Sequence, residues 1–140
     1  VEVVGKYLES ENVTHNSTNK LTSQEILRIP ALLGESDPIR AMQVLPGVQS
    51  GIEGQTGLFV RGGGNDQNLV LLDGLPVYKP DHIFGFFSTF DINAVKNIKL
   101  IKGGFPARFG GRLSSVIDVE MKAGDVEQPS RGFSLGPLIT

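Results

Sequence analysis

The 140-residue chain contains no cysteine and no tryptophan, and only two histidines. Without cysteine it has no disulfide, no thiolate metal site and no cysteine nucleophile. His15 lies in a polar stretch far from His82, so the three or four converging ligands of a metal centre are not in prospect. GxSxG, HExxH and EF-hand patterns are also missing. The expectation is therefore no catalytic residue, no metal and no cofactor: not an enzyme. An excess of one charge is lacking too. Thirteen basic residues face fifteen acidic ones, a formal net charge of -2, which gives no general attraction to nucleic acid or to an anionic membrane. No apolar run approaches the roughly 20 residues of a spanning helix, and LVLL at 69–72 has the length of a buried strand. The segment by itself is expected to be soluble. Its first residues, VEVVGKYLE, lack a basic stretch followed by an apolar one, which predicts either no signal peptide or one already removed. Both ends read as cuts in a longer polypeptide.

What is abundant is glycine, 18 residues, with 8 prolines. That composition favours a loop-rich fold with many special backbone angles over a helical bundle. Residues 1–8 read as a strand and the next twelve as a polar connector. Thr22 with Glu25 three positions on forms a capping-box signature leading into Ile26, Leu27 and Ile29, and Pro30 ends that helix. A second helix opens at DPIR, with Asp37 as N-cap and Pro38 in first position, and carries Ile39, Met42 and Leu45 on one stripe. VQSGIEGQTG reads as a loop.

LFVR and NLVLLDG read as strands, the second apolar on both faces as a central strand would be. A turn is expected at Asp73-Gly74. After the aromatic stretch KPDHIFGFFSTF, DINAVKN reads as a short helix with Ile92 and Val95 inward, and IKLIK as a strand. GGFPARFGGR is a second glycine-rich loop. Ser115, Ile117, Val119 and Met121 alternate with Val116, Asp118 and Glu120, the clearest period-two pattern in the chain. Strands and helices mix without regular βαβ alternation, so the fold class is α+β, a small mixed β-sheet with short helices and long loops.

Three segments invite a chemical interpretation. RGGGNDQN follows a strand like a phosphate loop, but it is neither GxGxxG nor GxxxxGK[ST] and leads into a strand, not a helix. Its glycines are expected to serve a turn between paired strands. Lys96, Lys99, Lys102, Arg108 and Arg112 follow one another with no acid between and with Phe105 and Phe109 interleaved, in the manner of a nucleic-acid patch. Their placement along a helix end and a strand face fits a solvated surface better, with the arginines pairing to carboxylates elsewhere. Tyr78, Phe84, Phe86, Phe87 and Phe90 fall within thirteen positions, with Lys79, Asp81 and His82 among them. Such a density serves either a core or a surface that presents rings to a ligand.

PGVQSG, then FVRGGGNDQNLVLLDGLPVY, then DINAVKNIKLIKGGFPARFGGRLSSVIDVEMKAG closely resemble, in that order, the plug domain of TonB-dependent outer-membrane receptors. The resemblance is strongest to the Bacteroidetes type that follows a carboxypeptidase-regulatory-like domain. It implies that residues 1–124 form the plug and 125–140 a linker and the start of the first barrel strand. The implied function is the gate of an active nutrient importer, closing the lumen of a β-barrel in the bacterial outer membrane. Outward loops 50–57, 62–67 and 78–87 would help bind the substrate, with Tyr78, Lys79, His82, Phe84, Phe86, Gln55, Asn65 and Asp66 as contact candidates. Arg61, Arg108 and Arg112 match positions that bond plug to barrel. Implied partners are the barrel of the same chain, TonB through an upstream segment, a surface lipoprotein, and a transported small molecule, glycan or peptide. No nucleic acid is implied. The alternative is a free-standing extracytoplasmic ligand- or glycan-binding module.

Overall fold

The computed structural model describes residues 17–30, 36–51, 56–82 and 85–124. The strand expected over residues 1–8 lies outside them. In chain order come β1 (Thr18–Thr22), α1 (Ser23–Leu27), α2 (Pro38–Ala41) and β2 (Val48–Ser50). β3 (Leu58–Val60), β4 (Asn68–Leu72), β5 (Leu75–Pro76), β6 (Asp81–His82) and β7 (Phe87–Ser88) follow, then β8 (Val95–Ile101) and β9 (Ser115–Met121). Five strands form one mixed sheet in the order β1-β8-β9-β4-β5, and β2-β3 and β6-β7 form two small antiparallel ladders of their own. The molecule is α+β, as expected from the pattern.

Both helices begin where their caps dictate. Thr22 Oγ1 accepts from Glu25 N at 3.4 Å while Thr22 N donates to Glu25 Oε2 at 2.7 Å, so two free backbone N–H groups at the helix start have acceptors. Asp37 Oδ1 accepts from Ile39 N and Arg40 N at 2.8 and 2.9 Å, with Pro38 in the position where a missing N–H costs nothing. A 3-10 turn over Met42–Val44 extends α2. The core lies between these helices and one face of the sheet, where Ile26, Met42, Leu58, Ile98, Leu100 and Val119 are essentially inaccessible.

Four expectations need correction. The central strand of the sheet is β9, not β4, because β4 has only the two residues of β5 on its other side. VQS belongs to a strand and not to a loop: Val48–Ser50 pairs antiparallel with Leu58–Val60. DINAVKN is not a helix. Asp91 Oδ1 accepts from Asn93 N at 2.8 Å in a single turn, and the chain enters β8 at Val95. The three-residue spacing of Ile92 and Val95, both buried, mimicked a helical stripe. Within β8 itself a register irregularity lies between Val95 and Asn97, where one extra residue shifts the side-chain alternation by one. Finally, β3 and β4 are not hydrogen-bonded partners, so RGGGNDQ is no hairpin turn: β3 pairs with β2, and β4 runs parallel to β9.

Candidate functional site

The segment between β3 and β4 turns sharply at Arg61 (φ 50) and Gly62 (φ 81), then passes through a 3-10 turn at Asn65–Gln67. Its side chains fasten the small ladder to the large sheet. Leu58 N donates to Asn65 Oδ1 at 3.0 Å, Leu58 O accepts from Asn68 Nδ2 at 2.7 Å, and Val60 O accepts from Ser114 Oγ at 2.7 Å. Ser115 Oγ completes the set by donating to Asn68 Oδ1 at 2.7 Å. Asn68, Ser114 and Ser115 are all buried. Backbone groups of β3 that no strand meets are thus satisfied by side chains, as burial requires. Gly63 packs against this joint, since a Cβ there would lie 2.5 Å from Ser114 Cβ.

The same segment forms one wall of an open cleft of about 640 Å³. Asn65, Asp66 and Arg112 line it together with Thr56, Phe59, Tyr78 and Asp81. Asn65, Asp66 and Tyr78 therefore come together from two separate loops. Lys79, His82 and Phe86 are exposed but do not line the cleft; they belong to the adjoining hairpin region. Gln55 and Phe84 lie outside the described residues, although their neighbours Thr56 and Gly85 line it. Tyr78 is 84% exposed and Phe86 41%, whereas Phe87 and Phe90 are core. The aromatic density divides by position: two rings turn inward and two outward.

Thr56 and Asp81 lie in loops that the sequence assigned to the substrate site without singling them out, Phe59 was missed as a cleft residue, and Arg112 was given a different role. Arg112 Nη1 donates to the Asp66 backbone carbonyl at 3.0 Å, which ties the second glycine-rich loop to the first. No local signal announced that bond, because its partners are 46 positions apart. Arg61 is exposed, and the Arg108 guanidinium lies 4.6 Å from the centre of the Phe109 ring. None of the three arginines meets a carboxylate among the described residues, where Lys99 with Glu120 is the only ion pair. Asp73 is not a bare turn residue. Its Oδ1 accepts from Met121 N at 2.9 Å, closing the end of the β4-β9 ladder.

On the back of the sheet two neighbouring carboxyls are pulled in opposite directions. Burial pushes Asp118 above the usual carboxylate range, and the Lys99 charge only partly opposes it. Hydrogen bonding to Lys99, reinforced by Asn97 Nδ2 at 2.7 Å, holds Glu120 below that range against a smaller effect of burial.

A profile of the TonB-dependent Receptor Plug Domain family matches residues 10–116. The chain belongs to that family. Solved structures share the plug fold: the siderophore receptor PirA from Pseudomonas aeruginosa (23% identity, TM-score 0.59) covers 78% of this chain. A mutant ferric enterobactin receptor, PfeA, from the same organism, in complex with enterobactin, gives 21% identity, a TM-score of 0.58 and the same coverage. The outer membrane transporter YddB from Escherichia coli gives 20% identity and a TM-score of 0.61 over 79% of the chain. The plug spans only 19%, 18% and 17% of those three chains. No helix of the described residues is long and apolar enough to cross a membrane, which leaves strands of a barrel unaddressed.

Proposed function

We propose that this plug is the gate of a TonB-dependent active transporter in the bacterial outer membrane. It sits inside a β-barrel formed by the rest of the same polypeptide, closes its lumen, and lends its outward loops to the substrate site. The observation that carries this reading is the cleft where Asn65 and Asp66 from one loop meet Tyr78 from another. Exposed Leu75, Leu113 and Val44, at 71%, 85% and 61%, support it as well, because a domain seated in a barrel has a wall to cover such side chains. Tyr78, Lys79, His82, Phe84, Phe86 and Gln55 join Asn65 and Asp66 as contact candidates for a small molecule, glycan or peptide. Arg61, Arg108 and Arg112 supply charges for carboxylates on the barrel wall. Residues 1–124 act as the plug and 125–140 lead into the first barrel strand. TonB engages an upstream segment, and the ordered motifs favour the Bacteroidetes type with a preceding carboxypeptidase-regulatory-like domain and a surface lipoprotein partner. The plug performs no chemistry of its own.

The decisive experiment is conductance of the full-length receptor in planar bilayers, with and without residues 1–124. Large open channels are expected only after the deletion. Equal conductance from the two proteins would remove the gate from consideration.

A further inference from the structure

The ladder β6-β7 consists of two residue pairs, Asp81 with Ser88 and His82 with Phe87. So short a ribbon does not hold its shape in water unaided. Its far strand is gripped instead at three nearby backbone positions by residues from elsewhere in the chain. Gly85 O accepts from Thr56 N at 2.7 Å and from Thr56 Oγ1 at 3.0 Å. Phe86 O accepts from Arg40 Nη2, whose guanidinium also lies 5.7 Å from the centre of the Phe87 ring. Ser88 N donates to Asp37 Oδ2 at 2.5 Å. Asp37, only 8% exposed, thereby performs two tasks with one carboxyl: Oδ1 caps α2 and Oδ2 holds the hairpin, 51 residues further along the chain. The ring of Phe86 remains turned outward between these grips.

We propose that Asp37 is the positioning residue of the substrate-facing hairpin, fixing the ribbon on α2 so that the exposed Phe86 ring is held in place as a platform before any cargo arrives. Fixing a binding surface in advance removes ordering costs from association. The inference rests on the reading of the hairpin as part of the substrate site, but its mechanism is independent of the cargo's identity.

Asp37→Asn separates the two tasks. Asparagine caps a helix as well as aspartate does, yet it places an amide donor where Ser88 N needs an acceptor. Amide hydrogen exchange of the full-length receptor in detergent micelles reads the result on residues 85–90 and 38–44. Exchange over 85–90 is expected to accelerate on the order of ten-fold, the effect of losing a hydrogen bond to a charged acceptor, with 38–44 unchanged. Asp37→Ser, which caps but is too short to reach Ser88, is expected to give the same split and serves if the asparagine variant folds poorly. Unchanged exchange over 85–90 overturns the proposal. So does equal acceleration of both segments, which would reduce Asp37 to a general folding residue. Because no cargo is added, these outcomes stand apart from the platform reading, which fails separately if Tyr78→Ala and Phe86→Ala leave cargo binding intact.

Discussion

Asp73 and Gly74 adopt φ of 48° and 82°, the two positive values that a two-residue hairpin turn of the primed type demands. Aspartate tolerates this region better than most side chains, and here its Oδ1 also receives Met121 N. Asp73→Ala removes both advantages and is expected to destabilise the chain by about 1–3 kcal/mol in urea unfolding. Asp73→Asn, which keeps an acceptor and tolerates positive φ, is expected to lose much less. The two carboxyls behind the sheet predict opposite pH signatures. Asp118 is raised on folding, so the folded chain holds its proton more tightly. Its contribution to stability is present below the ordinary carboxylate range and fades as pH rises through its elevated value. Asp118→Asn is therefore expected to stabilise the chain at neutral pH, with the gain vanishing in acid. Glu120 is depressed, and its contribution is present above the ordinary range and lost as pH falls through its lowered value. Glu120→Gln is expected to destabilise at neutral pH and to match the parent in strong acid. Unfolding midpoints between pH 3 and pH 8 check both signs, and parallel curves for the parent and both variants would contradict them.

At the scale of elements, the joint between β3 and the main sheet is made by side chains. That choice explains Gly63, whose missing Cβ leaves room for Ser114 to reach Val60 O. Gly63→Ala is expected to cost roughly 1–3 kcal/mol by crowding Ser114. In a Ser114→Gly background the same substitution is expected to cost much less, and this non-additivity is the test. If the two changes simply add, the close packing at this joint has no energetic weight. Gly62 differs from Gly63: nothing would touch its Cβ, and its positive φ alone makes glycine the suitable residue. The phosphate-loop appearance of RGGGNDQ thus has two separate structural causes, one of conformation and one of close packing.

Over the whole molecule, Arg61 and Arg108 meet no carboxylate among the described residues, and Leu75, Leu113 and Val44 are exposed. A single exposed ion pair contributes only about 0.2–1 kcal/mol, so no one arginine is expected to hold the plug in the proposed barrel. Replacing Arg61 and Arg108 together with alanine in the full-length receptor is expected to increase transient channel openings in planar bilayers while sparing cargo binding. Arg112→Ala should behave differently, weakening cargo binding as well, because Arg112 lines the cleft and holds Asp66. Identical behaviour of the three arginines would argue against that division.

The local decisions of this fold were written in short stretches: the capping box at Thr22, the Asp37-Pro38 helix start, the Asp73-Gly74 reversal and the alternation of β9. Each depends on backbone geometry and on partners within a few residues, so adjacent side chains suffice to specify it. Pairing is another matter. That β4 lies parallel to β9, that β2 takes β3 as its partner, that Val95 opens a strand and not a helical turn, and that Asn65, Asp66, Tyr78 and Arg112 share one cleft were decided only in three dimensions. The contacts responsible, such as Asn68 with Ser115 across 47 positions, form between segments whose separate sequences carry no mark of each other. Burial selects among the possible partners only when all the strands compete for the same core.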